Sequence, residues 1–184
     1  AGKVTDLNNL KQIMVAVHLY AADGNDALPP PNWDNGGYGG YRDTAGWLYK
    51  ADLAASGTNR YVATGGLLWP FLRTARVYAC PNDDLQMWHW SFHDNATEQR
   101  KQRLSSYAMN GGVIGFYAAI RPPVKLTRMQ PGDCAFWETD ETEPFYFNDG
   151  ANYPQEGVSG RHSQGGVQAL FDGSVSYIKL DRWY

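Results

Sequence analysis

From Val4 to about Tyr20 apolar residues recur every three to four positions, at Val4, Leu7, Leu10, Ile13 or Met14, and Val17. That spacing predicts one stripe of an amphipathic helix. Asp6, Asn8, Asn9, Lys11, Gln12 and His18 fall between the apolar positions and are expected on the polar face. The run Ala21-Ala22-Asp23-Gly24 stops the helix, with Gly24 placed for a left-handed cap. Residues 23–45 carry three consecutive prolines and a glycine-rich stretch, so they read as a loop. A shorter helix is expected from Trp47 to Ala55, and a helical turn or apolar loop from Gly66 to Arg73, ahead of Val77 to Cys80. Residues 82–103 mix aromatic and charged side chains with no clean period and read as an excursion from the core.

Strand-like pieces dominate the second half. Ser105 to Met109, Val113 to Ala118, Cys134 to Thr139 and Phe145 to Phe147 are short, and Gly, Pro or Asp separates them. The clearest unit is Gly166 to Phe171, then Asp172-Gly173, then Ser174 to Leu180. Asp-Gly between two alternating runs predicts a hairpin in which both turn residues take positive φ. Val167, Ala169 and Phe171 should share one face of the first strand. One helix followed by an antiparallel meander is an α+β architecture. Neither part is stable alone in water, so each is expected to cover the other.

Composition narrows the class of protein. The chain has 184 residues, 43% of them hydrophobic, which suits a single globular domain over residues 1–184. With 20 Gly, 10 Pro and only 19% charged residues, many turns and short strands are favoured over a helical bundle. The net charge of −3 disfavours nucleic acid as a partner. No run of about 18 apolar residues is present that would cross a membrane. The aromatic content of 14% exceeds what a small core needs, so some rings are expected at a surface or interface.

Three signatures fall in order along the chain. They are Asn8-Asn9-Leu10-Lys11-Gln12 with Tyr20 and Asp23-Gly24; Cys80-Pro81-Asn82-Asp83 with Ser106-Tyr107-Ala108-Met109-Asn110; and His162 with Asp172-Gly173, nine residues lying between His162 and Asp172. Together they resemble the bacterial prepilin-like proteins of the H-X9-DG family, relatives of type IV pilins and type II secretion pseudopilins. The resemblance implies a pilin-like fold, with residues 1–22 as a shortened N-terminal helix and residues 23–184 as loops and sheet. It implies a structural subunit of a pilus or pseudopilus that acts by assembly and not as an enzyme. The implied partners are other pilin-like subunits and the assembly machinery, met through the N-terminal helix. In the family an apolar half-helix, preceded by a prepilin peptidase site, anchors the chain in the inner membrane. That half is absent from this sequence. The globular part is then expected in the periplasm or outside the cell.

Individual residues leave alternatives open. His162 and Asp172 suit a general base with its orienting carboxylate, or else a histidine bound to a loop and an aspartate holding the hairpin turn. Ser159 and Ser163 are the nearby nucleophiles, and neither sits in a GxSxG elbow. His89 and His93 have the HxxxH spacing of a helical zinc pair but lack the glutamate of a metalloprotease, so two exposed histidines are expected. No cofactor is expected, with Ca²⁺ the one candidate, at Asp140, Glu141, Glu143 and Asp149. The same four residues also suit a solvated acidic loop. Trp33, Tyr38, Tyr41, Trp88, Trp90 and Trp137 would form a stacking platform if the chain were instead a secreted carbohydrate-binding module. Cys80 and Cys134 are either two buried thiols or a disulfide. The exported location implied by the resemblance favours the disulfide, which would constrain the unfolded chain by about 4 kcal/mol.

Overall fold

A computed structural model describes residues 2–33, 44–115, 120 and 122–183. The first helix, α1, runs from Gly2 to Asp23. Its buried face is Asp6, Asn9, Leu10, Ile13, Met14, Ala16, Val17 and Ala21, an i, i+3, i+4 series. The stripe is therefore rotated from the apolar one. Val4 stands in solvent, whereas Asp6 and Asn9, expected on the polar face, are buried because polar partners from the sheet meet them there. The helix ends as expected but by another device. Asn25 and Asp26, not Gly24, take the left-handed conformation. The Asp26 carboxylate holds that turn by accepting from the Thr127 hydroxyl at 2.5 Å.

The sheet under α1 has five strands: β5 (Tyr107–Asn110), β6 (Cys134–Glu138), β7 (Ala151–Asn152), β8 (Gly165–Leu170) and β9 (Val175–Lys179). Their spatial order is β7-β5-β6-β8-β9. All pairs are antiparallel except β5 with β7, so the meander is interrupted at one edge. Two small hairpins lie apart from this sheet: β1 (Lys50–Ala51) with β2 (Tyr61–Val62), and β3 (Trp88–Ser91) with β4 (Ala96–Gln99). Short helices close the set, α2 at Trp69–Leu72 and α3 at Leu180–Trp183. One N-terminal helix on a largely antiparallel sheet is the α+β class expected.

The core fills the space between α1 and β8. Leu10, Ile13, Met14 and Val17 meet Val167, Ala169 and Phe171, which share a face as the alternation predicted. Burying a side chain of this kind is worth roughly 1.5–3 kcal/mol. Trp47, also buried, packs edge-on against Tyr78 and Phe136, at 5.8 and 4.9 Å between ring centroids.

Three expected elements differ. Trp47 to Ala55 is not a helix: Trp47, Leu48 and Tyr49 are consecutive and all buried, which an amphipathic helix cannot do. Their backbone is held instead by Asn32, whose Oδ1 accepts from the N–H groups of Leu48 and Tyr49 and whose Nδ2 donates to the Tyr49 carbonyl at 2.9 Å. Phe145 to Phe147 lies in a 3₁₀ turn, because Pro144 lacks an N–H and Glu143 caps the turn by accepting from Phe145 N. Val113 closes another 3₁₀ turn, Ile114 and Gly115 follow it without joining a strand, and residues 116–118 of the strand expected there lie outside the described residues.

Asn32 is 7% exposed and satisfies three backbone groups, two of them donors. Asn32→Ala would leave those donors buried and unpaired. A loss of about 2–4 kcal/mol in urea unfolding is expected, with the far-ultraviolet spectrum unchanged.

Candidate functional site

The polar groups that α1 buries meet four other segments at one place. The Tyr107 hydroxyl, on β5, donates to Asp6 Oδ1 at 2.5 Å and accepts from Asn9 Nδ2 at 3.2 Å. His162 Nε2 lies 2.6 Å from Asp6 Oδ2, 3.3 Å from Glu138 Oε1 and 3.6 Å from Cys80 Sγ. Glu138 ends β6, and its Oε2 accepts from Val167 N on β8 at 2.8 Å. Cys80 follows the 3₁₀ turn Ala75–Tyr78, with its N–H bound to Ser106 Oγ and its sulfur accepting from Asn82 N at 3.3 Å. Asp6 and Glu138 are fully buried, and His162 is 6% exposed.

The loop that presents His162 is strained. Ser163 and Gln164, neither of them glycine, both take positive φ immediately after it. Three backbone bonds hold that shape: His162 N to Gly165 O, Gln164 N to Gly160 O, and Leu180 N to Gln164 O.

Two arginines, each paired with further carboxylates, lie around this cluster. Arg161 Nη1 lies 3.2 Å from Asp83 and 3.5 Å from Glu138 Oε1, and its Nη2 lies 3.3 Å from Glu141. Arg100 grips Asp83 with two hydrogen bonds, at 2.7 and 3.0 Å. Buried charges are tolerable only when paired in this way. Several groups titrate abnormally as a result. The close approach of Glu138 raises the His162 imidazole, outweighing burial, and Asp6 adds to it. Burial, then the hydrogen bond to Asp6 and the Glu138 charge, push the Cys80 thiol far up. For Asp83 burial alone would raise the carboxyl, but the Arg100 hydrogen bond and the charges of Arg161 and Arg100 hold it below its ordinary range.

The H-X9-DG spacing acquires a physical meaning here. Its histidine touches α1 at Asp6, and its hairpin touches α1 twelve residues later, where His18 Nε2 lies 3.0 Å from Phe171 O. Lys11 Nζ also donates to Gly173 O at 2.8 Å. Between the two contacts runs the six-residue strand β8. Six strand residues span about 20 Å and twelve helix residues about 18 Å, so the motif is the length of strand that lies beneath this part of α1.

His162 and Asp172 do not pair with each other. Asp172 is exposed in the hairpin turn and accepts from Ser174 N, while His162 is committed to Asp6 and Glu138. The turn also differs from the two-residue form expected. Gly173 alone has positive φ, with Gly173 N bonded to Leu170 O and Leu170 N to Ser174 O, so Phe171 and Asp172 are the central residues and Gly173 completes a bulge.

The expected Cys80–Cys134 disulfide is not formed, and both thiols are free. Cys80 is turned into the charged cluster, whereas Cys134 begins β6 with its sulfur toward Phe136 O. Burial pushes the Cys134 thiol up to about 12.

The remaining candidates disperse. His89 is on β3, and His93, in the hairpin turn, stacks on Phe145 at 3.4 Å, so the pair does not sit on a helix. The four acidic residues serve separate contacts: Asp140 binds Thr142, Glu141 pairs with Arg161, Glu143 holds Phe92 N and Phe145 N, and Asp149 holds Ala151 N. Among the aromatic residues Trp137 is fully buried, and Trp33 packs on Tyr153. Trp88 and Trp90 are exposed; Tyr38 and Tyr41 lie outside the described residues.

Sequence reasoning gave no site role to Glu138, Arg161 or Arg100, and it met Asp6 only as a polar-face residue and Tyr107 only within a signature. One signal was available, since Asp6 falls on the helical period of Leu10, Ile13, Val17 and Ala21. The other four are brought in by chain segments far away in sequence. Asp6, Cys80, Glu138 and His162 each offer one ligand atom, and these four atoms lie within 4.8 Å of one another, so the group could hold a metal ion.

The ion pairs of Asp83 with Arg100 and Arg161 set an acid limit to stability. Because the folded Asp83 carboxyl sits below its unfolded value, its contribution is complete above the unfolded pKa and is lost as pH falls through the folded one. Melting temperature should therefore drop on acidification below about pH 4. Asp83→Asn, which strands Arg100, should remove about 3–5 kcal/mol at neutral pH and flatten that acid limb in denaturant titrations.

No protein-family model, no curated protein and no solved structure matches this chain, so the prepilin-like resemblance rests on its motifs alone.

Proposed function

We propose that this protein is a structural subunit of a pilus or type II secretion pseudopilus, working by assembly, with α1 as the element that meets neighbouring subunits. The observation that carries the reading is that α1 is apolar on two sides. Its inner side covers the sheet. Its outer side presents Val4, Val15 and Leu19, exposed by 60%, 51% and 49%. A helix that only covers a sheet needs no apolar residues toward solvent, whereas a helix packed on both sides does. Shallow hollows flank the stripe, one lined by Val15, Leu19, His18 and Gly173, the other by Val15, Leu19, Phe71 and Leu72. The anchoring contacts from Asp6, Lys11 and His18 suit the same role, since they transmit load between helix and sheet.

None of the described helices is long and apolar enough to cross a membrane. Membrane anchoring in this proposal comes from the family resemblance, through an apolar segment ahead of α1. The globular domain then lies in the periplasm or outside the cell.

In the bacterium that makes the protein, Val15→Asp combined with Leu19→Asp should abolish fibres or block secretion. Each change should alter the stability of the soluble domain by no more than about 0.5 kcal/mol. Fibres and secretion that survive deletion of the gene would refute the proposal.

One observation favours a second reading, a carbohydrate-binding module. Trp88 and Trp90 stand on the same face of β3 at 61% and 48% exposure, with Phe92 beside them at 81%. Soluble polysaccharides would then quench tryptophan fluorescence saturably, and Trp88→Ala with Trp90→Ala would remove the response. A flat titration eliminates this alternative.

A further inference from the structure

We propose that Asp6, Cys80, Glu138 and His162 form a four-ligand structural site for zinc or a similar borderline divalent cation, which clasps α1 to the sheet. This does not depend on the assembly role. The four residues come from α1, the segment after the Ala75–Tyr78 turn, the end of β6, and the loop before β8.

The hydrogen bonding around each ligand leaves one atom for the centre. Asp6 Oδ1 is taken by the Tyr107 hydroxyl, and Oδ2 faces His162. Glu138 Oε2 is taken by Val167 N. Its Oε1, on a fully buried side chain, has no hydrogen-bond partner and points at the same place, 3.3 Å from His162 Nε2. Asn82 N supports the Cys80 sulfur. Outer hydrogen bonds of this kind orient ligands around a metal. That Oε1 is the independent sign of a ligand, because a fully buried polar oxygen that faces His162 Nε2 at 3.3 Å and Arg161 Nη1 at 3.5 Å yet makes no hydrogen bond keeps a lone pair for an ion.

Ligand chemistry selects the ion. A thiolate and an imidazole beside two carboxylates suit zinc, and Ca²⁺ or Mg²⁺ would want oxygen alone. Bonds of about 2.0–2.3 Å in a tetrahedron separate ligand atoms by about 3.3–3.8 Å. Two of the distances from His162 Nε2, 3.3 Å to Glu138 and 3.6 Å to Cys80, already match, and Asp6 Oδ2 at 2.6 Å has to withdraw by about 1 Å. Charge also balances. Zn²⁺ with one thiolate and two carboxylates leaves a single negative charge, which Arg161 Nη1 faces at 3.5 Å from Glu138 Oε1. Binding would release the Cys80 proton, reversing the effect of its two carboxylate neighbours. Four buried protein ligands leave no open position, so the site is structural and loads as the chain folds.

The test uses the whole chain, purified without a histidine tag, unfolded in chelator and refolded with Zn²⁺ or with EDTA. After gel filtration, elemental analysis should find about one zinc per chain, and the zinc-refolded protein should melt well above the EDTA-refolded one. Refolding with Co²⁺ should give a thiolate-to-cobalt charge-transfer band in the near ultraviolet. Cys80→Ser should abolish that band and lower zinc retention at least tenfold, and Glu138→Gln should lower retention without removing the band. Asp172→Asn, outside the cluster, should change neither. Equal melting temperatures in zinc and EDTA with no retained zinc overturn the proposal, as does zinc retention that Cys80→Ser leaves undiminished.

Discussion

The contact between Asp6 and His162 decides how α1 lies on the sheet. A helix held only by apolar side chains can slide or roll along a smooth core at small cost. A carboxylate fully buried beneath it cannot move without losing the imidazole at 2.6 Å and the phenol at 2.5 Å that compensate its burial. Losing one partner of such a pair costs far more than the intact pair contributes to net stability. The interaction therefore specifies register and rotation more than it adds stability. Its consequences extend outward, because Glu138, Arg161, Asp83 and Arg100 are each placed to compensate the next charge.

The same contact links a local motif to the architecture. His162 and the Asp172-Gly173 hairpin stand at opposite ends of β8, and each reaches α1 by a polar bond, through Asp6 at one end and through Lys11 and His18 at the other. Between those ends the contact is apolar. Helix and strand run in the same direction and are pinned at two points. Such an arrangement holds α1 rigidly while leaving Val4, Val15 and Leu19 facing outward.

The aromatic residues divide into two populations for different reasons. Trp47 and Trp137 are fully buried, and each indole N–H finds a backbone carbonyl, Gly150 O and Gly157 O respectively. Such rings stabilise the interior without leaving a polar atom unsatisfied. Met87, Trp88, Trp90 and Phe92 belong to a separate hairpin and remain exposed. That hairpin is tied to the rest through Glu143, which accepts from Phe92 N, and through His93 stacked on Phe145.

The sequence by itself determined the elements whose signal is local: the first helix through its 3.6-residue repeat, the inward face of β8 through alternation, and the closing hairpin through Asp-Gly. Local signals mislead where a distant group takes over. Trp47 to Tyr49 read as helix because their backbone partner, Asn32, lies outside the local pattern, and whether Cys80 stays a buried thiol or joins a disulfide was left open until its place beside His162 was known. Only the tertiary structure decided which face of α1 is buried at its start and where Asp6, Glu138 and His162 meet. The reason is electrostatic. A carboxylate on a helix reads as solvent-facing, and it can be buried only when compensating groups arrive from positions about a hundred or more residues away, which no local pattern encodes.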